Sequence, residues 1–411
     1  MSSPERLDLA RSCLRIMVAA LIVRMVGAIA LGEGAPFGPD GTGAEAAVAL
    51  GGHPYPLHIV MLSALGADAR ALSMLCGALN CVLIALWGRR VGLGMAGGWL
   101  AVCAPLSVMP GVLASGDAPA LTIALVGILI STMGGWLGPV GGAVAALSVA
   151  VKPIALPVLV LLVARPSGLL GAVGVLVLLR QFIAPLWNPM PQGGLLGTWW
   201  IASGGSPPQS ILSWAGDGLR TLGETPHWAQ IWWALLGALA VVRTDKRMLA
   251  VTAVLPVLAA FGIAAMFGGR VESRYFSAPM VAALPFVGFM LRDPRWVGVA
   301  CGVMTWASVA LLTQLGASRA VLDSHAQVPD LPVLGWPAVE ADAIFATCST
   351  EDATRLRELA KQLAEVAPLG STIITEPRPD GREGELFWPL KVLRPDLKVS
   401  TDSGASSPSP D

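Results

Sequence analysis

The stretch LGPVGGAVAALSVAVKPIALPVLVLLVA, residues 137–164, decides how this chain is threaded. Its residues are apolar apart from Ser148 and one charged residue, Lys152, which is followed directly by Pro153. A proline removes a backbone donor and breaks a helix, so the stretch is either a tight hairpin of two spans or one kinked helix. The two interpretations place every later segment on opposite sides of a membrane, and the rest of the sequence must decide between them.

The charges at the breaks between apolar segments favour the hairpin. Lysine and arginine are retained on the cytoplasmic side of membrane proteins. If residues 137–164 formed a single helix, the later basic clusters would fall on the opposite side from the earlier ones. The hairpin topology places these basic residues at cytoplasmic breaks: Arg6, Arg11, Arg15, Arg89, Arg90, Arg165, Arg243, Lys246, Arg247, Arg292 and Arg295.

The sorting of charges has exceptions. The cytoplasmic break at residues 132–136 carries no positive charge. Four arginines fall on or near the outer side instead: Arg70, Arg180, Arg220 and Arg270.

Composition indicates an all-α polytopic membrane protein. The chain is 54% hydrophobic and 13% charged, with a mean hydropathy of +0.67, far from soluble domains. Several apolar runs approach the ~20 residues that cross ~30 Å of hydrocarbon. A net charge of zero gives no support to nucleic-acid binding. We predict about eleven spans, at 13–32, 71–88, 92–110, 118–133, 137–151, 153–164, 168–186, 229–243, 248–268, 276–291 and 296–316.

An odd number of spans puts the two termini on opposite sides of the cell (inner) membrane. Residues 1–12 are then cytoplasmic, ahead of a first helix that is retained rather than cleaved. The transmembrane domain covers 13–316, with outer loops at 33–70 and 187–228. Residues 317–400 are expected to form a small extracytoplasmic α/β domain, and 401–411 a disordered tail.

Carboxylates in the outer breaks are candidates for chemistry. Asp40 lies in GPDGTGAEAA, where glycines allow close backbone approach, and it suits a general base or a metal ligand. The alternative is a turn or helix-capping residue. Glu45 is a second carboxylate or part of a solvated helix face. Asp117 precedes Ala-Pro at the start of a span, so it is an N-cap, a functional acid, or both.

Basic residues on the same face are candidates for anion binding. An ionisable side chain at membrane depth is costly, so Lys152 is either a phosphate ligand or an anchor that reaches the surface. Arg274, between Glu272 and Tyr275, has the planar fork that binds phosphate bidentately, although an interfacial anchor explains it equally well. Arg24 in the first span raises the same question, with a structural ion pair within the helix bundle as the alternative to a functional role.

Two classes of function fit these charges. A membrane enzyme that uses a lipid-phosphate donor needs cations for the phosphate and a carboxylate for the acceptor. A multi-pass transporter or flippase usually places ionisable residues near the bilayer midplane, often in inverted repeats. The charges here cluster at span ends on one face, which favours the enzyme.

Four motifs resemble the GT-C superfamily of integral-membrane glycosyltransferases, in the branch of protein O-mannosyltransferases and aminoarabinose transferases. The resemblance covers residues 13–316, and an arginine such as Arg24 in the first span also recurs in such chains. The motifs are, in order, PDGTGAEAAVALGGHPYP (39–56), LASGDAPALTIAL (113–125), LSVAVKPIALPVLVLL (147–162) and ESRYFSAPMVAALP (272–285).

The resemblance implies transfer of a sugar, of the hexosyl type, from a polyprenyl-phosphate donor to a lipid, glycan or protein acceptor. Asp40 would then be the catalytic base or a carboxylate that positions the acceptor, and Asp117 would help to shape the acceptor or donor pocket. Lys152 and Arg274 would hold the lipid phosphate. Gly41 stands where the family often has a second acid. This departure leaves the acceptor and the need for a divalent metal open.

Overall fold

The computed structural model describes residues 3–31, 69–112, 116–183, 277–323 and 350–374, together with parts of 390–400. Four residues of the predicted spans 229–243 and 248–268 are also described, and each is helical: Gly237, Leu239, Val254 and Leu258. The count of about eleven spans therefore stays a prediction.

The described chain is helical up to residue 323, as the sequence predicts. Its elements are α1 (Ser3–Leu31), α2 (Ala69–Arg90), α3 (Ala96–Cys103), α4 (Pro105–Val112), α5 (Asp117–Ser131), α6 (Leu137–Val151), a 3₁₀ helix (Pro153–Ala164), α7 (Pro166–Ile183), α8 (Ser277–Leu291) and α9 (Pro294–Asp323).

Apolar length confirms a membrane protein. Among the described residues, three helical segments are long and apolar enough to cross a membrane, Pro4–Ala30, Arg70–Arg90 and Pro294–Thr313. In the first and the last, 22% of the most apolar window is buried inside the protein, against 72% for Arg70–Arg90. Helices α1 and α9 thus turn apolar side chains outward, as lipid-facing helices do, and α2 lies at the centre of the bundle.

Hydrogen bonds between neighbouring helices show which helix termini lie together at each end of the bundle. At one, which we call the Arg90 end, Arg90 Nη2 donates to the Thr132 carbonyl at 3.4 Å. At the other, the Asp117 end, Arg70 Nη2 donates to the Ala28 carbonyl at 2.6 Å. The Asp117 end comprises the ends of α1, α4 and α6 and the starts of α2, α5 and α8.

The same two hydrogen bonds involve two exceptions to the charge sorting. At the break 132–136, which has no basic residue of its own, Arg90 from the neighbouring break reaches the Thr132 carbonyl. At the opposite end, Arg70 binds a last-turn carbonyl of α1, where the helix dipole favours a cation.

The chain reverses at Lys152-Pro153, so the predicted hairpin is confirmed. Lys152 ends α6 in an extended conformation (φ −162°, ψ 131°). At about 2.0 Å per residue, the 12 residues of the 3₁₀ helix return about 24 Å, close to the roughly 22 Å that the 15 residues of α6 advance. A Cβ on Gly138 would collide with Ser167 Oγ, which places the start of α7 beside the start of α6.

Some predicted bounds are wrong. The span 92–110 is two short helices, because the chain is extended at Ala104 (φ −67°, ψ 128°) before Pro105. The span 153–164 has the predicted bounds but is a 3₁₀ helix, with Pro153 and Pro157 unable to donate backbone bonds. The last span continues to Asp323 and so enters the segment assigned to the C-terminal domain.

The C-terminal segment contains one further helix and two short strands. They are α10 (Thr350–Val366), β1 (Thr372–Ile374) and β2 (Lys398–Ser400), and the strands pair in parallel. Ala360, Leu390 and Leu397 form a small apolar cluster. That this segment is an extracytoplasmic domain stays a prediction.

Candidate functional site

A pocket opens at the Asp117 end of the bundle. It encloses about 250 Å³ of space, including its open mouth. Helices α2, α4, α5 and α8 contribute its walls, which combine apolar side chains with a carboxylate, an amide and two hydroxyls. The polar lining residues are Asn80, Ser107, Asp117 and Ser277, and the apolar ones are Leu106, Pro110, Ala118, Leu121, Ala278 and Val281.

Asp117 and Lys152 form one ion pair. Lys152 Nζ lies 2.8 Å from Asp117 Oδ1, and the two side chains are only 10% and 7% exposed. The pair joins the start of α5 to the end of α6. The structure therefore brings together two of the candidates that the sequence treats separately.

Neither residue follows its simpler interpretation. Gly116 holds the N-cap position of α5, so Asp117 is the first helical residue and the capping interpretation is wrong. Pro119 does lie in the first turn, as expected. The ammonium of Lys152 is buried against a carboxylate, so the interpretation as a surface anchor is also wrong. A paired charge at this depth is the form in which membrane proteins retain ionisable groups.

Arg24 is fully buried behind the pocket, and its described partners are neutral. Nη1 donates to the Ala20 carbonyl at 3.1 Å. Nη2 contacts the Cys81 Sγ at 3.4 Å, the Ser107 carbonyl at 3.1 Å and the Ser107 Oγ at 3.0 Å. Within the described part of the chain, the interhelical ion pair expected for Arg24 does not occur. Instead, its guanidinium connects α1, α2 and α4.

A second polar network fixes the start of α5, and the sequence analysis missed it. Thr122 Oγ1 donates to the Asn80 Oδ1 at 2.8 Å, with the carbonyls of Cys76 and Ala118 also within reach. Asn80 Nδ2 donates to the Ala118 carbonyl at 3.0 Å. Isolated polar residues in apolar helices were the available signal, because such groups must find partners inside the bundle.

The other candidate residues are not tested by the structure. Asp40, Glu45, Glu272, Arg274 and Tyr275 lie outside the described residues. Ser277, two residues beyond Tyr275, lines the pocket and is 3% exposed. In the described part of the chain, no group of three or more His, Cys, Asp or Glu side chains could hold a metal ion.

Comparison with known proteins leaves the family unassigned. No family model and no curated protein matches the sequence. A crystal structure of ArnT from Cupriavidus metallidurans, bound to undecaprenyl phosphate, is similar over 94% of this chain and 85% of that chain. The sequence identity is 16% and the TM-score is 0.49. We therefore infer the function from the residues of the site.

Proposed function

We propose that this protein is a membrane glycosyltransferase that moves a sugar from a polyprenyl-phosphate donor to a lipid, glycan or protein acceptor. The reaction takes place at the outer face of the inner membrane, where the Asp117 end lies. The carrying observation is the buried Lys152–Asp117 pair beside a pocket with both apolar and polar walls.

The pocket suits a lipid phosphate in two respects. Its apolar walls on α4, α5 and α8 match a hydrocarbon chain, and Asp117 and Ser277 line it at the starts of α5 and α8, where a headgroup sits. An ammonium carries three N–H donors. Lys152 is the proposed ligand of a phosphate oxygen, and its ion pair with Asp117 keeps the ammonium in place next to the pocket.

The proposed roles follow the chemistry of the transfer. Asp40 takes the proton of the acceptor hydroxyl as its oxygen attacks the anomeric carbon. The bond from that carbon to the phosphate oxygen breaks, and the polyprenyl phosphate leaves with the electron pair. Lys152 and Arg274 stabilise the charge that develops on the leaving phosphate.

The remaining candidates position the substrate. Asp117 lines the pocket and holds Lys152 in its ion pair. Glu45, Glu272 and Tyr275 contact the sugar or the acceptor. Gly41 stands in place of a second acid, so the transfer assay is run with and without a divalent metal.

The decisive experiment removes the proposed base. Asp40→Asn should abolish sugar transfer from a radiolabelled polyprenyl-phosphate sugar in membranes, with unchanged protein level and membrane insertion. Asp8→Asn is a matched control, because its side chain is 76% exposed at the opposite end of α1. Full activity of Asp40→Asn would remove Asp40 from the base role. Substrate flux in proteoliposomes without any lipid-linked sugar would favour a transporter instead.

A further inference from the structure

Ser107 connects the buried Arg24 to the pocket. Its hydroxyl oxygen lies 3.0 Å from Arg24 Nη2, and the same residue lines the pocket. We infer that Ser107 is a phosphate-binding residue of this pocket and that Arg24 is the positioning residue that orients it. The inference rests on the proposed function and adds to it Ser107, which no motif indicates, and a role for Arg24.

The direction of the Ser107 hydrogen bond follows from the chemistry of arginine. A guanidinium has donors only, so the Ser107 oxygen must accept from Arg24. The hydroxyl proton of Ser107 then points away from Arg24. Its other described contact is a long one, 4.0 Å to Cys81 Sγ. A thiol sulfur is a weak acceptor, so a phosphate oxygen in the pocket would be the stronger acceptor for this hydroxyl.

Two glycines hold Arg24 in this position. A Cβ on Gly77 would lie 2.6 Å from Arg24 Nε, and a Cβ on Gly111 would lie 2.5 Å from the same atom. The side chain thus fills a slot between α2 and α4 that exists only because both positions lack a Cβ. A guanidinium confined in this way keeps the Ser107 hydroxyl in one orientation.

The buried Arg24 favours an anion as the ligand. Its side chain is fully buried, and the groups that it contacts in the described part of the chain are neutral. An oxygen bound to Ser107 at about 2.7 Å would lie within about 6 Å of Arg24 Nη2. At that separation from a buried cation, an anionic oxygen is favoured over a neutral sugar hydroxyl.

The ligand chemistry is a phosphate group, which either a lipid monophosphate or free inorganic phosphate supplies. Three probes distinguish the sources: undecaprenyl phosphate, dodecyl phosphate and inorganic phosphate. Each would be titrated into the purified full-length protein in detergent, and binding followed by phosphorus NMR. The apolar pocket walls predict that the two lipids bind and that inorganic phosphate binds much more weakly.

Ser107→Ala tests the ligand role. We expect it to weaken dodecyl phosphate binding by about tenfold or more, as for loss of a hydrogen bond to a charged group. Ser131→Ala is the matched control, because Ser131 is equally buried but donates within α5 to the Ile128 carbonyl at the Arg90 end. It should bind dodecyl phosphate like the wild type.

Arg24 is tested by a measurement that a purely structural role would not change. A nearby buried cation lowers the second pKa of a bound phosphate, which is about 6 in an ordinary phosphomonoester. Arg24→Lys should keep that lowered pKa, and Arg24→Gln should return it towards the ordinary value. If Arg24→Gln does not fold, the phosphate pKa is compared between Arg24→Lys and the wild type, and Ser107→Ala still tests the ligand role.

The outcomes separate this inference from the proposed function. Undecaprenyl phosphate that binds equally to wild type and Ser107→Ala would overturn the inference and leave the transferase proposal intact. A phosphate pKa that is as low in Arg24→Gln as in the wild type would remove Arg24 from the positioning role. Failure of the wild type to bind either lipid phosphate would overturn both proposals.

Discussion

The two ends of the bundle hold their helices together by different means. At the Arg90 end, α5, α6 and α7 touch backbone to backbone through glycines. At the Asp117 end, the helices are joined by an ion pair and by side-chain hydrogen bonds.

The glycine contacts leave no room between the helices. A Cβ added to Gly127 or Gly141 would overlap the backbone of the partner helix, and the same holds for Gly142 against Gly168. Close approach of this kind is how helices associate in lipid, where apolar side chains give little advantage over lipid tails. At this end, the three helices are packed in direct backbone contact.

Polar side chains at the Asp117 end keep charge inside the bundle. The pocket occurs there, between the starts of α5 and α8. Charged contacts thus occur at one end of the bundle, and the closest backbone contacts of α5, α6 and α7 occur at the other.

The largest effect should come from breaking the buried ion pair. Lys152→Met leaves Asp117 buried without its ammonium partner, so we expect the free energy of unfolding to fall by about 3–5 kcal/mol. The measurement is a denaturant titration in detergent followed by tryptophan fluorescence. The double variant Lys152→Met/Asp117→Leu removes both charges and should recover most of the loss without recovering transfer activity. Unchanged stability of the single variant would mean that the pair contributes nothing to the fold.

A smaller effect is expected at the glycine-packed end. Gly142→Ala places a methyl group against the Gly168 carbonyl and should cost about 1–3 kcal/mol in the same titration. Gly174→Ala is the control, since a Cβ on Gly174 has no neighbour within 4 Å in the structure. Equal results for the two variants would contradict the distinction between the two ends.

The smallest effect belongs to an exposed ion pair in the C-terminal segment. Arg394 Nε lies 2.8 Å from Asp396 Oδ1, and the Gly370 amide donates to Asp396 Oδ2 at 2.9 Å. The Arg394 hydrogen bond, followed by that of Gly370, holds the pKa of Asp396 well below its ordinary value. A lowered folded-state pKa stabilises the segment above the unfolded value of about 4, and the contribution is lost as the pH falls through the folded pKa.

Hydrogen exchange checks this last prediction. Asp396→Asn should reduce protection of the Gly370 amide at neutral pH, and Glu358→Gln, which alters an exposed helical pair with Lys361, should not. Wild-type protection should also fall in strong acid. Protection of Gly370 that Asp396→Asn leaves unchanged would contradict the assignment.

The sequence predicts the reversal of the chain because one proline and a few arginines determine it. Lys152-Pro153 marks the reversal, and the positions of Arg90 and Arg165 select the hairpin. Hydropathy did not reveal the break at Ala104, since both halves of residues 92–110 are equally apolar. Pro105 and Pro110, in APLSVMPGV, were the available signal.

The candidate site was only half accessible from the sequence. Asp117 and Lys152 stood out because ionisable residues are rare in apolar helices. Their pairing did not, nor did the bond from Arg24 to Ser107, which are 83 positions apart. Contacts of that kind depend on how helices cross, and one sequence does not record the crossing.

The central claim is that a polyprenyl phosphate binds at the Asp117 end, and photocrosslinking tests it most directly. A polyprenyl phosphate with a photoreactive group in its first isoprene unit would be irradiated with the purified protein, and the labelled peptides identified by mass spectrometry. We expect labels on α4, α5 and the start of α8, near Ser107, Asp117 and Ser277, that unlabelled undecaprenyl phosphate displaces. Labels confined to the Arg90 end, around Gly138 and Ser167, would contradict the account.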